Sequence, residues 1–159
     1  MSSGIFADHD QDAIYFTRSD VNEDFGSFSK HPFQLEDKEW PSVEHYFQAM
    51  KFDDQAYQET IRCADHPKKA RKLGRNRFRS IRKDWRDVKV VYMTRAVYTQ
   101  CRTYPDIATK LLTTGSKRLV ENSQYDYFWG CGRDRRGDNH FGKVLMNVRN
   151  KLHTEAQDL

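Results

Sequence analysis

The fold is decided by residues 40–52, which have the sequence Trp40-Pro-Ser-Val-Glu-His-Tyr-Phe-Gln-Ala-Met-Lys-Phe52. Pro41 and Ser42 are start signals for a helix, with the proline in its first turn or the serine as its N-cap. The apolar residues that follow have helical spacing and predict one apolar face. They are Val43, Tyr46, Phe47 and Met50. The sequence therefore predicts a central helix that runs to about Phe52.

Another face of this helix carries an acid, an amide and an amine in one row: Glu44, Gln48 and Lys51. A helix places residues at i, i+4 and i+7 on the same side. Such a row is usually a solvated stripe with weak pairing between its side chains, but it is unusual beside so many aromatic residues. The residues by themselves therefore leave two alternatives, a solvated stripe and a polar site.

The same stretch and four later ones resemble the signature of the YbiA-like family, also called NADAR. The later segments are Gly74-Arg-Asn-Arg77, Arg82-Lys-x-Trp85, Asp126-x-x-Trp-Gly-x-Gly132 and Gly137-x-Asn-x-x-Gly142. The resemblance runs in the family's order from about Ile14 to Leu152 and implies an N-glycosidase. Family members that this chain resembles act on phosphoribosylamino-pyrimidine intermediates of riboflavin biosynthesis, whereas other branches act on ADP-ribose conjugates.

The composition indicates one domain without membrane contact. A chain of 159 residues suits a single core, and with 37% hydrophobic but 13% aromatic residues, large rings must supply much of that core. Charged residues make up 31%, and no run of about 18 apolar residues is present to span a membrane. Residues 1–10 have neither the basic nor the apolar region of a signal peptide. We therefore expect a cytoplasmic location.

The cysteines and histidines indicate neither a metal site nor a disulfide framework. Cys63, Cys101 and Cys131 are widely spaced, odd in number and without a C-x-x-C motif, which fits a reducing cytosol. The six histidines have no known metal-binding spacing. No metal and no cofactor are therefore predicted. Cys131 lies between two glycines in a predicted loop, and a nucleophile there is the less favoured interpretation.

The remaining patterns predict an α+β fold that is mostly helical, a single YbiA-like domain with a few short β-strands. Stretches rich in β-formers predict strands at 13–17 and 119–121 and, at 32–40, a small hairpin or two short strands. Periodicity and cap residues predict helices at 42–52, 55–63, 67–74, 84–102, 105–113 and 139–152, with Asp65, Asp84 and Asn139 as caps. The expected boundaries are a flexible N-terminus at 1–12, the YbiA-like N-glycosidase domain at 13–153 and a frayed tail at 154–159.

Residues 125–139 form a second unusual stretch, with three glycines, four aromatic residues and four acidic or amide residues but no helical periodicity. Irregular segments of this length in compact domains are usually functional or disordered. The aromatic content argues against disorder. We therefore expect part of this loop to form one pocket with Glu44, Lys51 and Trp129.

The resemblance to N-glycosidases implies catalytic roles for three polar residues. Cleavage of an N-glycosidic bond passes through a cation-like state at the sugar C1, which a nearby carboxylate stabilises. Glu44 is the first candidate carboxylate, as a general base or an electrostatic stabiliser. Asp126 is the second, with a cap or turn residue as the alternative. Lys51 either holds a phosphate or hydroxyl or captures the opened sugar as a Schiff base, as the ADP-ribose branch implies; a surface lysine is the remaining alternative.

The other parts of a phosphoribosyl substrate require matching side chains. A flat pyrimidine requires an aromatic face, for which Trp129 and Tyr46 are candidates. A 5′-phosphate requires Arg or Lys with backbone amides, for which Arg75 and Arg77 are best placed by motif. The further candidate binding residues are Phe28, Gln48, Trp85, Gly130 and Asn139. Trp85 can equally be core, and Asn139 can shape the start of the last helix.

Three functions are consistent with these observations. The first is hydrolysis of a small-molecule phosphoribosyl substrate to ribose 5-phosphate and a pyrimidine. The second is hydrolysis of an ADP-ribosyl-nucleobase bond, and nucleic acid is a partner only in this case. Eleven Lys or Arg against two Asp in residues 68–89 would support a nucleic-acid surface, with a solvated face as the alternative. The third is a non-catalytic module that binds ADP-ribose or a nucleotide, against which the presence of both Glu44 and Lys51 argues mildly.

Overall fold

The computed structural model describes residues 12–158, which form six helices and four short strands. The strands are β1 (Ala13–Phe16), β2 (Phe33–Leu35), β3 (Lys38–Trp40) and β4 (Arg118–Glu121). The helices are α1 (Val43–Ala49), α2 (Gln55–Arg62), α3 (Pro67–Gly74), α4 (Trp85–Thr103), α5 (Pro105–Thr113) and α6 (His140–Gln157). The predicted α+β, mostly helical fold is confirmed. The predicted flexible N-terminus lies, except for Asp12, outside the described residues.

The first and last strands pair in parallel, although most of the chain lies between them. Ala13 of β1 is opposite Arg118 of β4, and the register continues to Phe16 opposite Glu121. The carboxyl ends of parallel strands lie at the same edge, where α/β proteins commonly place ligands. Arg18, which follows β1, therefore meets the end of β4, and its backbone N–H donates to Glu121 Oε1 at 2.9 Å.

The second pair is the predicted hairpin of β2 and β3, whose strands are antiparallel. Its turn contains Glu36 and Asp37, with φ of 56° and 63°. Two successive positive φ angles suit the right-handed twist of a hairpin, and glycine or asparagine usually occupies such positions. The Tyr46 hydroxyl donates to Glu36 Oε1 at 2.9 Å, and this hydrogen bond holds the turn against α1.

Helix α1 is enclosed by other elements, so none of its faces is solvated. Ser42 is its N-cap, as predicted, and the serine hydroxyl accepts a hydrogen bond from His45 N at 3.2 Å. All residues of α1 are buried, with α2, α3 and α4 packed around it. Glu44 and Gln48 are therefore not part of a solvated stripe.

The central helix is also shorter than predicted, because it ends at Ala49 rather than at about Phe52. After the helix, the backbone hydrogen bonds join residues three positions apart, as in a 3₁₀ turn. Lys51 N donates to Gln48 O at 3.3 Å, and Phe52 N donates to Ala49 O at 3.2 Å. The chain then turns towards α2, whose N-cap is Asp54. Lys51 therefore lies in the turn after the helix.

Of the predicted cap residues, Asp65 does not cap α3, and Asp84 occupies the N-cap position of α4 without a cap hydrogen bond from its side chain. His66 caps α3 in place of Asp65, because the imidazole Nδ1 accepts from Lys68 N at 3.0 Å. Asp84 precedes α4, but its carboxylate is occupied by Arg82, whose Nε donates to it at 2.6 Å. A neighbouring guanidinium thus competes successfully with the backbone N–H groups of the helix.

The third predicted cap, Asn139, joins the start of α6 to β4 instead. The residue has φ of 52°, and its side chain accepts from Glu121 N and donates to Leu119 O, both at 2.9 Å. It therefore shapes the start of the helix, as predicted, but not through a cap bond. A Cβ on Gly142 would lie 2.1 Å from Leu119 O, so this close approach of α6 to β4 requires glycine.

Helix α6 continues to Gln157, beyond the predicted end at Leu152. The Tyr98 hydroxyl of α4 donates to Glu155 Oε1 at 2.6 Å, and Arg102 lies 3.6 Å from the other oxygen. These contacts hold the last turns of α6 against α4. Residues 154–157 are therefore helical, and the prediction of a frayed tail is wrong for them.

Aromatic rings supply much of the core, as the composition predicts. The ring of Phe47 lies 5.0 Å from that of Trp85 and 5.4 Å from that of Trp129, and Tyr46 packs edge-on against Trp40. Among residues 12–158, no helix combines the length and the hydropathy that crossing a bilayer requires.

Candidate active site

Glu44 is a carboxylate surrounded by hydrogen-bond donors, and its exposed fraction is 0%. Oε1 accepts from Gln48 Nε2 at 2.8 Å and from Arg71 Nε at 3.0 Å. Oε2 accepts from Ser27 Oγ at 2.7 Å, and Arg18 Nη1 lies 3.7 Å away. Burial by itself would raise the pKa of this carboxyl, but Arg71, Arg18 and the hydrogen bonds lower it to about 2. Glu44 is therefore ionised at neutral pH, with both oxygens occupied.

The two arginines that contact Glu44 come from different elements. Arg18 follows β1, and its Nη2 also donates to Asp126 Oδ2 at 2.8 Å. Arg71 lies on α3, with its Cζ 4.4 Å from the centroid of the Phe28 ring. Stacking on an aromatic face restricts the plane of a guanidinium. The predicted binding residue Phe28 is buried in this structure and supports Arg71.

Asp126 is the carboxylate with access to solvent, because a quarter of its side chain (25%) is exposed. Its Oδ1 accepts from Phe128 N at 3.1 Å and from Trp129 N at 2.8 Å. This is the turn geometry that the sequence leaves open for Asp126. Its Oδ2 faces Arg18, so the turn and the ion pair together fix the direction of the carboxylate.

A further buried carboxylate, Glu121, organises the start of the loop. Its oxygens accept from Ser123 N at 3.0 Å, from Ser123 Oγ at 2.7 Å and from Arg18 N at 2.9 Å. A Cβ on Gly130 would lie 2.3 Å from Glu121 Oε2. The predicted binding residue Gly130 is therefore needed for close packing beneath the loop.

A cavity of about 650 Å³ opens beside these residues. It is lined by Arg18, Arg71 and Arg75 and by the segment 123–128. Pockets of this size accommodate ligands as large as a nucleotide. Of the residues that line the cavity, Asp126 supplies a carboxylate, whereas Glu44 lies behind Arg18 and Arg71.

The side chain of Lys51 extends from the turn after α1 to the C-terminal end of α3, and Lys51 does not line this cavity. Its ammonium donates to Gly74 O at 2.7 Å, where the helix dipole favours a cation. Burial, followed by the charge of Arg75, lowers the pKa of Lys51, and Glu44 opposes this change. A lowered pKa is what a nucleophilic amine needs, but the hydrogen bond to Gly74 directs the amine at the backbone.

The two predicted phosphate-binding arginines have different environments. Arg75 lines the cavity, whereas Arg77 is exposed and lies outside the lining. Trp85 is partly buried against Phe47 and Tyr92, as expected for a core residue. Of these three residues, Arg75 lines the same cavity as Asp126, whereas Arg77 and Trp85 do not line it.

The two predicted pyrimidine platforms are both buried. Tyr46 is 0% exposed and its hydroxyl is bound to Glu36, so its ring belongs to the core and has no face for a ligand. Trp129 is 7% exposed, and its ring is in edge contact with Phe47 and Phe128. Other rings lie at the cavity, namely Tyr125, Tyr127 and Phe128.

Several residues of this site are missing from the sequence prediction. Arg18 has no local signal, because the parallel pairing of distant strands positions it. Arg71 has a weak local signal, since Ala70 and Gly74 mark the buried side of α3 and Arg71 lies next to that side. Lys89 places its ammonium 3.6 Å from the centroid of the Phe128 ring, next to the cavity.

Metal binding has no support in the described part of the chain. There, no group of three or more His, Cys, Asp or Glu side chains has an arrangement suited to a metal ion. The absence of a metal or cofactor remains a prediction from the sequence.

We expect the free energy of unfolding to decrease in acid because of Glu44. Its folded-state pKa of about 2 is below the ordinary value of 4.5, so the unfolded state takes up the proton first as the pH falls. The ionised Glu44 contributes about 3 kcal/mol to the free energy of unfolding. This contribution is complete above about pH 5 and is lost towards about pH 2. Urea unfolding between these pH values measures it. A Glu44→Gln variant with the same acid dependence as the wild type would contradict the assignment.

Comparison with known proteins identifies the family. The profile of the NADAR domain matches residues 5–153. The N-glycosidase Npun_R5314 of Nostoc punctiforme is 45% identical over 131 residues, which cover 80% of this chain and 84% of that protein. The N-glycosidase YbiA of Escherichia coli is 37% identical over 147 residues, which cover 91% and 92%.

A solved structure and a longer relative also support the assignment to this family. The NMR structure of the E. coli protein YbiA superposes with a TM-score of 0.85 at 36% identity, covering 92% of this chain and 88% of that one. The chloroplastic riboflavin biosynthesis protein PYRR of Zea mays is 36% identical over 153 residues, which are 25% of its length. The relatives that are similar over nearly their full length are named N-glycosidases, and this chain is therefore an enzyme of the N-glycosidase type. Because the profile and these relatives cover nearly all of it, the chain belongs to the NADAR family.

Proposed function

We propose that this N-glycosidase hydrolyses phosphoribosylamino-pyrimidine intermediates of riboflavin biosynthesis, releasing ribose 5-phosphate and the pyrimidine. The observation that carries the proposal is the cavity itself. It places one accessible carboxylate, a set of arginines and several aromatic rings around a space of about 650 Å³. The similarity to a protein named for riboflavin biosynthesis supports the choice of substrate.

Asp126 is the carboxylate that we place at the sugar C1. It lines the cavity, and Arg18 and two backbone N–H groups fix its orientation. A water molecule attacks C1, the C1–N bond breaks and its electron pair goes to the nitrogen. Asp126 takes one proton from the water and passes it to the leaving nitrogen, so the carboxylate is ionised again and the net reaction consumes one water. The same negative charge stabilises the cation that develops at C1.

Glu44 has a positioning role in this proposal instead of the role of general base. Its oxygens already accept hydrogen bonds, and none of its surface is exposed to water. A general base must lie within hydrogen-bond reach of the proton that it takes. Glu44 therefore acts by holding Arg18 and Arg71 at the wall of the cavity.

The exposed rings of the loop are the proposed platform for the pyrimidine. Tyr125 is 89% exposed and lines the cavity, and Phe128 lines it beside Tyr127. The ammonium of Lys89 occupies one face of Phe128. The pyrimidine therefore stacks on the loop side of the cavity, in place of the predicted contact with Trp129.

Arg75→Ala should raise KM for a phosphorylated substrate by roughly 10- to 100-fold, with a smaller change in kcat. Contacts to a phosphate that does not react bind the ground state and the transition state alike. Steady-state kinetics measures the effect. Arg77→Ala is the matched control, because Arg77 lies in the same segment but outside the cavity. An unchanged KM for Arg75→Ala would remove Arg75 from the phosphate site.

Lys51 should not form a covalent intermediate during turnover. Its ammonium is directed at Gly74 O, and it does not line the cavity that contains Asp126. Borohydride added during turnover, followed by peptide mass analysis, should therefore give no sugar adduct on Lys51. A borohydride-dependent adduct at this residue would establish the Schiff-base route in place of direct attack by water.

A second candidate function is hydrolysis of ADP-ribosyl-nucleobase bonds. The observation in its favour is the exposed basic segment next to the cavity, in which Phe78 is 91% exposed between Arg77 and Arg79. Exposed rings among basic residues are typical of surfaces that bind single-stranded nucleic acid.

A substrate panel tests the proposed function. The enzyme is incubated with phosphoribosylamino-pyrimidines and with ADP-ribosylated DNA, and free base and reducing sugar are measured. We expect equal amounts of ribose 5-phosphate and pyrimidine from the first substrates. Release from the DNA substrate and not from the pyrimidines would favour the second function. Binding of ADP-ribose without release from either would indicate a non-catalytic module.

A further inference from the structure

Two N–H groups of the arginines at the cavity have no acceptor among residues 12–158. They are Arg71 Nη2 and Arg18 Nε, and both are buried. Each guanidinium also has a nitrogen that is paired, since Arg71 Nε donates to Glu44 and Arg18 Nη2 donates to Asp126. A buried donor without a partner is costly, so such donors at a cavity indicate an oxygen atom supplied by a ligand.

The local charge indicates which kind of oxygen this is. Arg18 and Arg71 are matched by two carboxylates, Glu44 and Asp126, so this part of the wall is close to neutral. Arg75 has no ion pair within the described residues. A phosphate dianion is therefore better accommodated at Arg75, and the two unpaired donors suit a neutral acceptor such as a hydroxyl.

We infer that Arg71 and Arg18 form a subsite for the ribose 2-hydroxyl, which makes the enzyme select ribosyl over 2-deoxyribosyl substrates. The inference rests on the proposed function, in which Asp126 faces C1. The 2-hydroxyl is on the carbon next to C1, and Arg18 is bound directly to Asp126. An acceptor near C1 is therefore within the environment of these two guanidiniums.

The subsite is rigid before a ligand binds. Phe28 supports the plane of Arg71, Glu44 holds its Nε, and the side chain of Arg18 is 5% exposed. Little conformational freedom is lost when a hydroxyl binds to such groups. A site built for a hydroxyl discriminates strongly against an analogue that lacks it, because the buried donors then stay unpaired.

Binding of two sugar phosphates tests the inference without using the N-glycosidase reaction. Calorimetry measures Kd for ribose 5-phosphate and for 2-deoxyribose 5-phosphate. We expect the wild type to bind the ribose compound about 10- to 100-fold more tightly. Arg71→Lys keeps the positive charge but has no second N–H in a guanidinium plane, so the ratio should fall towards one.

Two further variants separate the hydroxyl from the phosphate. Arg75→Ala should weaken both sugars and keep their ratio, and Lys72→Ala, an exposed neighbour on α3, should change neither. Equal affinity of the wild type for both sugars overturns the inference, as does a ratio that persists in Arg71→Lys or an absence of binding of both. The wild-type comparison decides the matter even when a variant does not fold.

The inference and the proposed function fail separately. Release of pyrimidine by an enzyme that binds both sugars equally would leave the function intact and remove the hydroxyl subsite. A preference for ribose 5-phosphate in an enzyme that does not release the pyrimidine would retain the subsite and remove the proposed substrate.

Discussion

Replacing Glu44 by glutamine is expected to lower the free energy of unfolding at neutral pH by about 3–5 kcal/mol. The substitution keeps the size of the side chain and removes its charge, so the buried Arg18 and the partly buried Arg71 lose one of the two carboxylates that pair with them. For a domain of this length, the melting temperature should fall by roughly 6–20 °C. Urea unfolding and calorimetry measure the two quantities.

Glu59→Gln is the matched control for this variant. Glu59 also pairs with an arginine, Arg62, but 42% of its side chain is exposed. Solvent screens such a pair, so the free energy of unfolding should change by at most about 1 kcal/mol. Equal stability changes for the two variants would show that Glu44 does not compensate the buried arginines.

The second large effect is expected for Asp126→Asn, which should lower kcat by a factor on the order of 10² to 10⁴. The substitution keeps an oxygen that can accept from Phe128 N and Trp129 N, so the turn is retained. It removes the charge to which the proposed function assigns uptake of the water proton and stabilisation of the cation at C1. Steady-state kinetics with a phosphoribosylamino-pyrimidine measures the loss, and the melting temperature shows whether the fold is intact.

Asp134→Asn is the control for Asp126→Asn. Asp134 lies in the same loop, is exposed and does not line the cavity. Its replacement should leave kcat unchanged. If Asp126→Asn keeps more than about a tenth of the wild-type kcat, Asp126 does not act at C1.

Much of the fold follows from signals that are local in the sequence. Pro105 opens α5 and a glycine with positive φ, Gly115, follows its end, and the observed bounds agree with the prediction. The serine cap of α1 is equally local. The expected side-chain cap bond is absent where another side chain competes, as when Arg82 occupies the carboxylate of Asp84, which is still the N-cap residue. Such competition depends on side-chain positions that a residue pattern does not contain.

The candidate site was predicted in part. Of the predicted polar row, Glu44 lies directly behind the cavity wall and Lys51 lies outside the lining, and of the loop at 125–139 only residues 125–128 line the cavity. The sequence did not show that Glu44 is enclosed and Asp126 accessible, because Arg18 and Arg71 come from distant elements and enclose Glu44. Residue type also does not reveal which ring is exposed, and Trp129 is buried while Tyr125 is not.

A structure with ribose 5-phosphate bound tests the central claim most directly. The account predicts that C1 of the sugar lies beside the Asp126 carboxylate and that the phosphate contacts Arg75. The 2-hydroxyl should accept from Arg71 Nη2 and Arg18 Nε. A sugar with C1 at Lys51, or one bound outside the cavity formed by the arginines and residues 123–128, would contradict the account.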